Sequence, residues 1–239
     1  MKNKPFLLLL LLLASFQVFA QDKGFRLGIR FAPNVSTNRV VDVSETDNIS
    51  FASNSAGLRF SGGLTGDFYF SKNYSFYTGL WYSVFRSGLK YEGTGPFAGE
   101  KGSSIYNIQY LQIPIAIKLF TNEVATDTKL YFVLGGTGGI KINEKETDWE
   151  VANSTSQGIL VAKPSTGKAF GFGDVGLLLG AGLEYQMGES TTLFGGLSYN
   201  RGLLDVTSKK GPMVVNDKSA SSYYKSSLSL ISLEAGIKF

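Results

Sequence analysis

The sequence predicts an all-β fold: an eight-stranded antiparallel up-and-down transmembrane β-barrel of the outer-membrane type. Three observations lead there. Apolar and polar residues alternate with a period of two along most of the chain, the mark of strands with unlike faces. The connections between these segments alternate long and short, as in a barrel with unequal ends. Beyond residue 21 no apolar run is long enough for a transmembrane helix, so any insertion must use strands.

The N-terminus has its own logic. Residues 1–21 read "MKNKPFLLLLLLLASFQVFAQ", with Lys2 and Lys4 as a charged start, Phe6 to Leu13 as an apolar centre and Ala20 before the expected cut. Residues 1–20 are therefore expected to be a cleavable signal peptide, and 21–239 the barrel domain. The apolar run falls short of the ~20 residues that span a bilayer. Without cysteine there is no lipid attachment site, disulfide, zinc-thiolate centre or thiol nucleophile. Histidine is also absent, which removes the commonest general base and metal ligand. Loss of Lys2 and Lys4 takes the formal charge from +4 to +2, with no basic run suited to nucleic acid.

The strands are expected near 23–33, 56–70, 74–87, 105–120, 128–142, 172–187, 191–204 and 227–239. In the first, Phe25, Leu27, Ile29 and Phe31 oppose Arg26, Gly28, Arg30 and Ala32. The fourth, "YLQIPIAIKLF" (Tyr110 to Phe120), sets Leu111, Ile113, Ile115 and Ile117 against Gln112, Ala116 and Lys118. The sixth and last strands alternate similarly, while Trp81, Phe85 and Phe194 break the pattern in the third and seventh. Residues 34–55, 88–104, 143–171 and 205–226 read as long connections.

Alternation alone fits either a lipid-facing barrel or a water-soluble one lined with apolar residues, such as a periplasmic lipid carrier. Three features favour lipid outside. The polar face is rich in Gly, Ala and Ser, as a crowded small lumen requires. The strands reach the ~9–11 residues that a tilted membrane strand needs. Phe68, Phe70, Tyr74, Phe76, Phe120 and Tyr185 gather near the short turns, where an aromatic girdle would lie.

In this register Arg26, Arg30, Arg59, Asp67, Lys118, Lys141, Asp174, Glu184, Glu234 and Lys238 point inward. An eight-stranded barrel is just wide enough for its side chains to fill, so these charges are expected to pair as a plug, with a narrow conducting path as the alternative. Glu184 and Glu234 resemble an acid/base pair only weakly, and a Ser–His–Asp site is impossible without histidine. "GGTGG" (Gly135 to Gly139) lacks the Lys-Ser/Thr of a phosphate loop and sits inside a strand. Neither a cofactor nor a metal site is expected. In the long connections Trp149, between Asp148 and Glu150, is a possible contact anchor, and 209–215 ("KKGPMVV") is a second candidate.

These stretches resemble a known family. "YLQIPIAIKLF" is similar to the "YLxIP" strand of PorT-like outer-membrane β-barrel proteins of Bacteroidota-type bacteria. "GFRLGIRFAPNVS", "FYTGLWYS" and "ISLEAGIKF" resemble that family's first, third and last strands. The resemblance implies an outer-membrane barrel with no catalytic residues, structural or acting through envelope partners. Some relatives take part in protein secretion across the outer membrane. Ile237 and the terminal Phe239 look like the signal read by the barrel-assembly machinery. Pro114 cannot donate a ladder hydrogen bond and should sit at irregular pairing.

Overall fold

Alternation becomes a closed wall in the computed structural model, which describes residues 24–42, 49–54, 56–94, 98–99, 101–152, 169–207 and 224–239. Its strands are β1 (Phe25–Asp42), β2 (Ile49–Ser53), β3 (Gly57–Ser71), β4 (Tyr74–Gly93), β5 (Lys101–Ala125), β6 (Thr128–Ala152), β7 (Gly173–Gln186), β8 (Thr192–Gly202) and β9 (Tyr224–Lys238). The hydrogen-bonded order is β4-β3-β1-β9-β8-β7-β6-β5, and β5 pairs back onto β4. Eight antiparallel strands therefore form the ring, while β2 adds to the far end of β4.

The faces follow the sequence register. Ile29, Phe31, Ile113, Ile115, Leu177 and Leu233 are exposed on the outside, and Arg30, Asp67, Gln112, Lys118 and Glu234 are buried inside. Neighbours on one strand differ sharply: Ile115 is 60% exposed and Ala116 3%. The aliphatic face is thus the outer one, and an inverted barrel with an apolar pocket does not hold. Among the aromatics expected near the short turns, Phe68, Phe70, Tyr74, Phe76 and Tyr185 face outward. Phe120 does not. It shares the parity of Lys118 and is buried in the lumen against Tyr69.

Pro114 is buried opposite Thr137 of β6. On its other side the β4–β5 ladder passes from Thr78↔Ile115 to Trp81↔Gln112 without pairing Pro114. The missing N–H therefore leaves no ladder bond unmade there. The short turn between β5 and β6 uses Asp127 at φ 56, a left-handed conformation that Asp tolerates better than most residues.

Several expected connections are strand instead. β1 runs on to Asp42, β4 to Gly93, and β5 starts at Lys101; β6 continues to Ala152, and β2 forms inside the expected 34–55 loop. Asn and Ser make 34–42 look like a loop, yet Asn34, Ser36 and Asn38 all point inward and are buried. Two of them have a backbone task. The β3–β4 ladder ends at Ser61↔Ser83, which leaves the next part of β4 without a strand on that side. Ser36 Oγ accepts from Arg86 N at 2.7 Å, Asn38 Oδ1 accepts from Gly88 N at 3.1 Å, and Asn38 Nδ2 donates to Gly88 O at 3.0 Å. Buried backbone groups are satisfied by side chains where the ladder stops.

Arginine at Ile115 should hinder insertion, since a charge at the bilayer midplane costs about 2–4 kcal/mol. Arginine at Ala116 should instead overcrowd the lumen. Urea unfolding from lipid vesicles and heat-dependent gel mobility measure both, and equal tolerance of Arg at Ile113, Ile115 and Ile117 would contradict the assignment of faces.

Candidate functional site

The lumen holds two layers of packed side chains. The layer toward the short turns is ionic. Arg30 Nη2 lies 3.0 Å from Glu234 Oε1. Lys118 and Lys238 both place Nζ 2.5 Å from Glu184 Oε1, and Lys238 lies 2.5 Å from Asp67 Oδ2 as well. Ser75 Oγ donates to Asp67 at 3.1 Å and Arg30 Nη1 to Ser61 Oγ at 3.1 Å. All six charged side chains are buried, so each depends on its partners for stabilisation that water would otherwise supply.

Aromatic rings fill the space around these charges. Tyr77, Trp81, Phe120, Tyr131 and Phe194 form one buried cluster with Ala116, Val133 and Leu178. The Arg30 guanidinium lies 4.1 Å from the Trp81 ring centroid, and Lys118 Nζ lies 3.9 Å from that of Tyr131. At such distances a ring face attracts a desolvated cation. Room for the rings comes from small residues opposite: a Cβ on Gly182 or Gly196 would overlap the Tyr131 side chain. This lining explains the broken alternation at Trp81 and Phe194, while Phe85 breaks it because it packs in the second layer.

The layer toward the long connections is apolar. Phe85, Tyr106, Ile108, Tyr110, Leu228 and Leu230 pack around Ala169, Phe170 and Val206. The last three come from segments that fold over the mouth, tied by Gly171 N to Val206 O at 2.7 Å and Val206 N to Ser226 O at 2.8 Å. Lys141 and Glu144 hold this cap. Glu144 accepts from Ala169 N at 2.6 Å and Phe170 N at 3.3 Å, while Lys141 donates to Phe170 O and pairs with Glu144.

The inward charges thus separate by role. Arg30, Asp67, Lys118, Glu184, Glu234 and Lys238 come together. Lys141 belongs to the cap, and Asp174 is buried with no cation paired to it among the described residues. Arg59 does not join the network. Beyond Ser61 the β3–β4 ladder ends, and the Arg59 guanidinium bonds Asn107, donating from Nε at 2.8 Å. Arg26 sits at the short-turn mouth and donates from Nη1 to Thr192 Oγ1 at 2.6 Å. Trp149 lies in β6 opposite Ser104, its side chain outside the described residues, as are 209–215.

Glu184→Gln should lower the unfolding free energy by about 3–5 kcal/mol, because two buried lysines lose their shared carboxylate. Removing Arg30 and Glu234 together, as Met and Leu, should cost less than either single change. Equilibrium unfolding of the set in vesicles reads both effects.

The chain matches the family described as "Outer membrane protein beta-barrel domain" over residues 19–208. No curated protein matches it. Among solved structures it is similar to the outer membrane protein OprG from Pseudomonas aeruginosa, at 12% identity and a TM-score of 0.52, covering 91% of this chain and 97% of that one. Neisserial surface protein A matches at 10% identity and a TM-score of 0.43, covering 90% and 96%. These identities speak for the fold alone, and only the first of the two scores carries that argument. The family match, the closed ring of eight strands and the aliphatic outer face agree: the chain belongs to the outer membrane protein β-barrel domain family, and its place is the outer membrane.

Proposed function

We propose that the protein is a non-enzymatic outer-membrane barrel that acts through envelope partners recruited to its extracellular extension. The observation that carries this reading is the division of the molecule. The lumen is packed with paired charges and apolar rings, while β5 and β6, at 25 residues each, far exceed the ~9–11 that cross a membrane. In this family of barrels the short turns face the periplasm and the longer connections the outside. The surplus strand therefore rises outside the cell as a sheet of β2, β4, β5 and β6. Lys141 N–H still bonds Phe172 O at 2.7 Å and Glu144 holds the cap, but past Glu144 β6 has no paired strand on its second side among the described residues. An open edge of that kind is where an extended partner segment can add as a further strand.

A narrower reading, a component of a PorT-like secretion or envelope-assembly machine, draws support from the motifs of the first, third, fourth and last strands. A small channel is disfavoured by the filled lumen. Catalysis is disfavoured by the lack of histidine and cysteine and by the engagement of Asp67, Glu184 and Glu234 in ion pairs. The terminal Phe239, exposed and held by its N–H to Leu27 O at 2.8 Å, would act with Ile237 as the signal for the assembly machinery.

Photo-crosslinkers at the exposed Lys145 or Asp148 should trap another envelope protein in living cells, and one at Ile115 should not. The purified barrel should show no unitary conductance in planar bilayers. Conductance steps would favour the channel, and cross-links to lipid alone would leave a structural role only. Loss of exported proteins in a deletion strain would favour the secretion machine. Deleting Phe239 should slow the appearance of the heat-shifted form in a pulse-chase more than it lowers the urea midpoint of the finished barrel.

A further inference from the structure

At the short-turn end the lumen opens into a cavity of about 460 Å³, within the range of small-molecule sites. Part of its wall is aromatic, formed by Tyr69 and Phe120 stacked with centroids 5.5 Å apart. Arg26 lies beside them, its guanidinium carbon 5.9 Å from the Tyr69 ring centroid.

The interior charges of this half do not balance. Arg26, Arg30, Lys118 and Lys238 face Asp67, Glu184 and Glu234, and all three carboxylates are engaged. Glu184, which also lines the cavity, is held by both lysines. Arg26 is the surplus cation. Among the described residues its hydrogen-bond partner is neutral, the Thr192 hydroxyl at 2.6 Å, and no carboxylate lies within ion-pair distance. At the rim Lys72 and Lys129 stand against Glu123 and Asp127, so the rim itself carries no excess of either sign. A half-buried guanidinium with a neutral partner and an open cavity before it is an incomplete anion site, since the fork of N–H donors matches a carboxylate in a bidentate pair.

We infer that this periplasmic cavity binds a small carboxylate with an apolar or aromatic body. The carboxylate pairs with the donors of Arg26 not used by Thr192, and the body packs against Tyr69 and Phe120. The site lies at the opposite end of the barrel from the partner surface proposed above and does not depend on it.

The test is calorimetric titration of the full mature chain, folded in a non-ionic detergent, with N-acetylphenylalanine and with its amide. Saturable binding of the acid, at least tenfold tighter than the amide, is expected. Arg26→Met should lose tenfold or more, and Arg26→Lys should recover part of that loss. Equal affinity for acid and amide, no saturable binding, or an unchanged affinity in a folded Arg26→Met variant would overturn the inference. If Arg26→Met fails to give the heat-shifted folded form, the acid–amide comparison on the unaltered protein decides alone. Asp22, four positions before Arg26 and outside the described residues, is the competing carboxylate. Binding by Asp22→Asn but not by the unaltered chain would mean that the chain satisfies Arg26 itself, and would also overturn the inference.

Discussion

In hydrocarbon an unpaired backbone amide has no water to turn to, and each one costs several kcal/mol. Pairing of β4 with β5 closes the ring and removes the two edges that an open sheet would expose to lipid. The rest of the structure depends on this contact. Eight strands closed in this way leave a lumen only as wide as its own side chains. Whatever points inward must pack and find partners there, and whatever points outward must tolerate lipid.

The interior meets that demand in two ways. Toward the periplasm, ion pairs tie the strands together from inside: Glu184 of β7 holds Lys118 of β5 and Lys238 of β9, Lys238 reaches Asp67 of β3, and Arg30 of β1 pairs with Glu234 of the neighbouring β9. Buried ion pairs are not a strong source of stability compared with apolar packing, but breaking one is costly. Their consequence here is register, because a slip of one residue on any of these strands would turn its charge toward lipid. Toward the outside, Phe85, Ile108, Phe170 and Leu228 exclude water without any charge. The cap segment is held over them by the backbone-to-Glu144 bonds.

Much of this was legible in the sequence. The strict alternation of "YLQIPIAIKLF" fixes which residues see lipid, and the same parity places Arg30, Asp67, Lys118, Glu184, Glu234 and Lys238 inside. Which charges meet which was not legible, because it depends on the stagger of strands around the ring. Arg59 shows the limit: its parity is inward, but the end of the β3–β4 ladder sends it to Asn107. Strand ends are hidden where Asn and Ser look like loop residues. Asn38 is a buried strand residue whose amide replaces a missing ladder bond at Gly88. The aromatic interior shows in the sequence at Trp81, Phe85 and Phe194, which interrupt the polar face, and at Phe120, which shares the parity of Lys118.

The central claim is a closed barrel with lipid outside and a dry, filled lumen. The chain has no native cysteine, so a single spin label at each position from 111 to 118 reports without interference. Collision rates with dissolved oxygen and with an aqueous nickel chelate, measured in lipid vesicles, test the claim directly. Labels at 111, 113, 115 and 117 should meet oxygen readily and nickel hardly at all, and the label at 112, which replaces a long buried side chain, should be shielded from both. Nickel collisions at 112 would reveal an open, water-filled lumen, and oxygen contact at 112 equal to that at 111 and 113 would contradict the barrel wall itself.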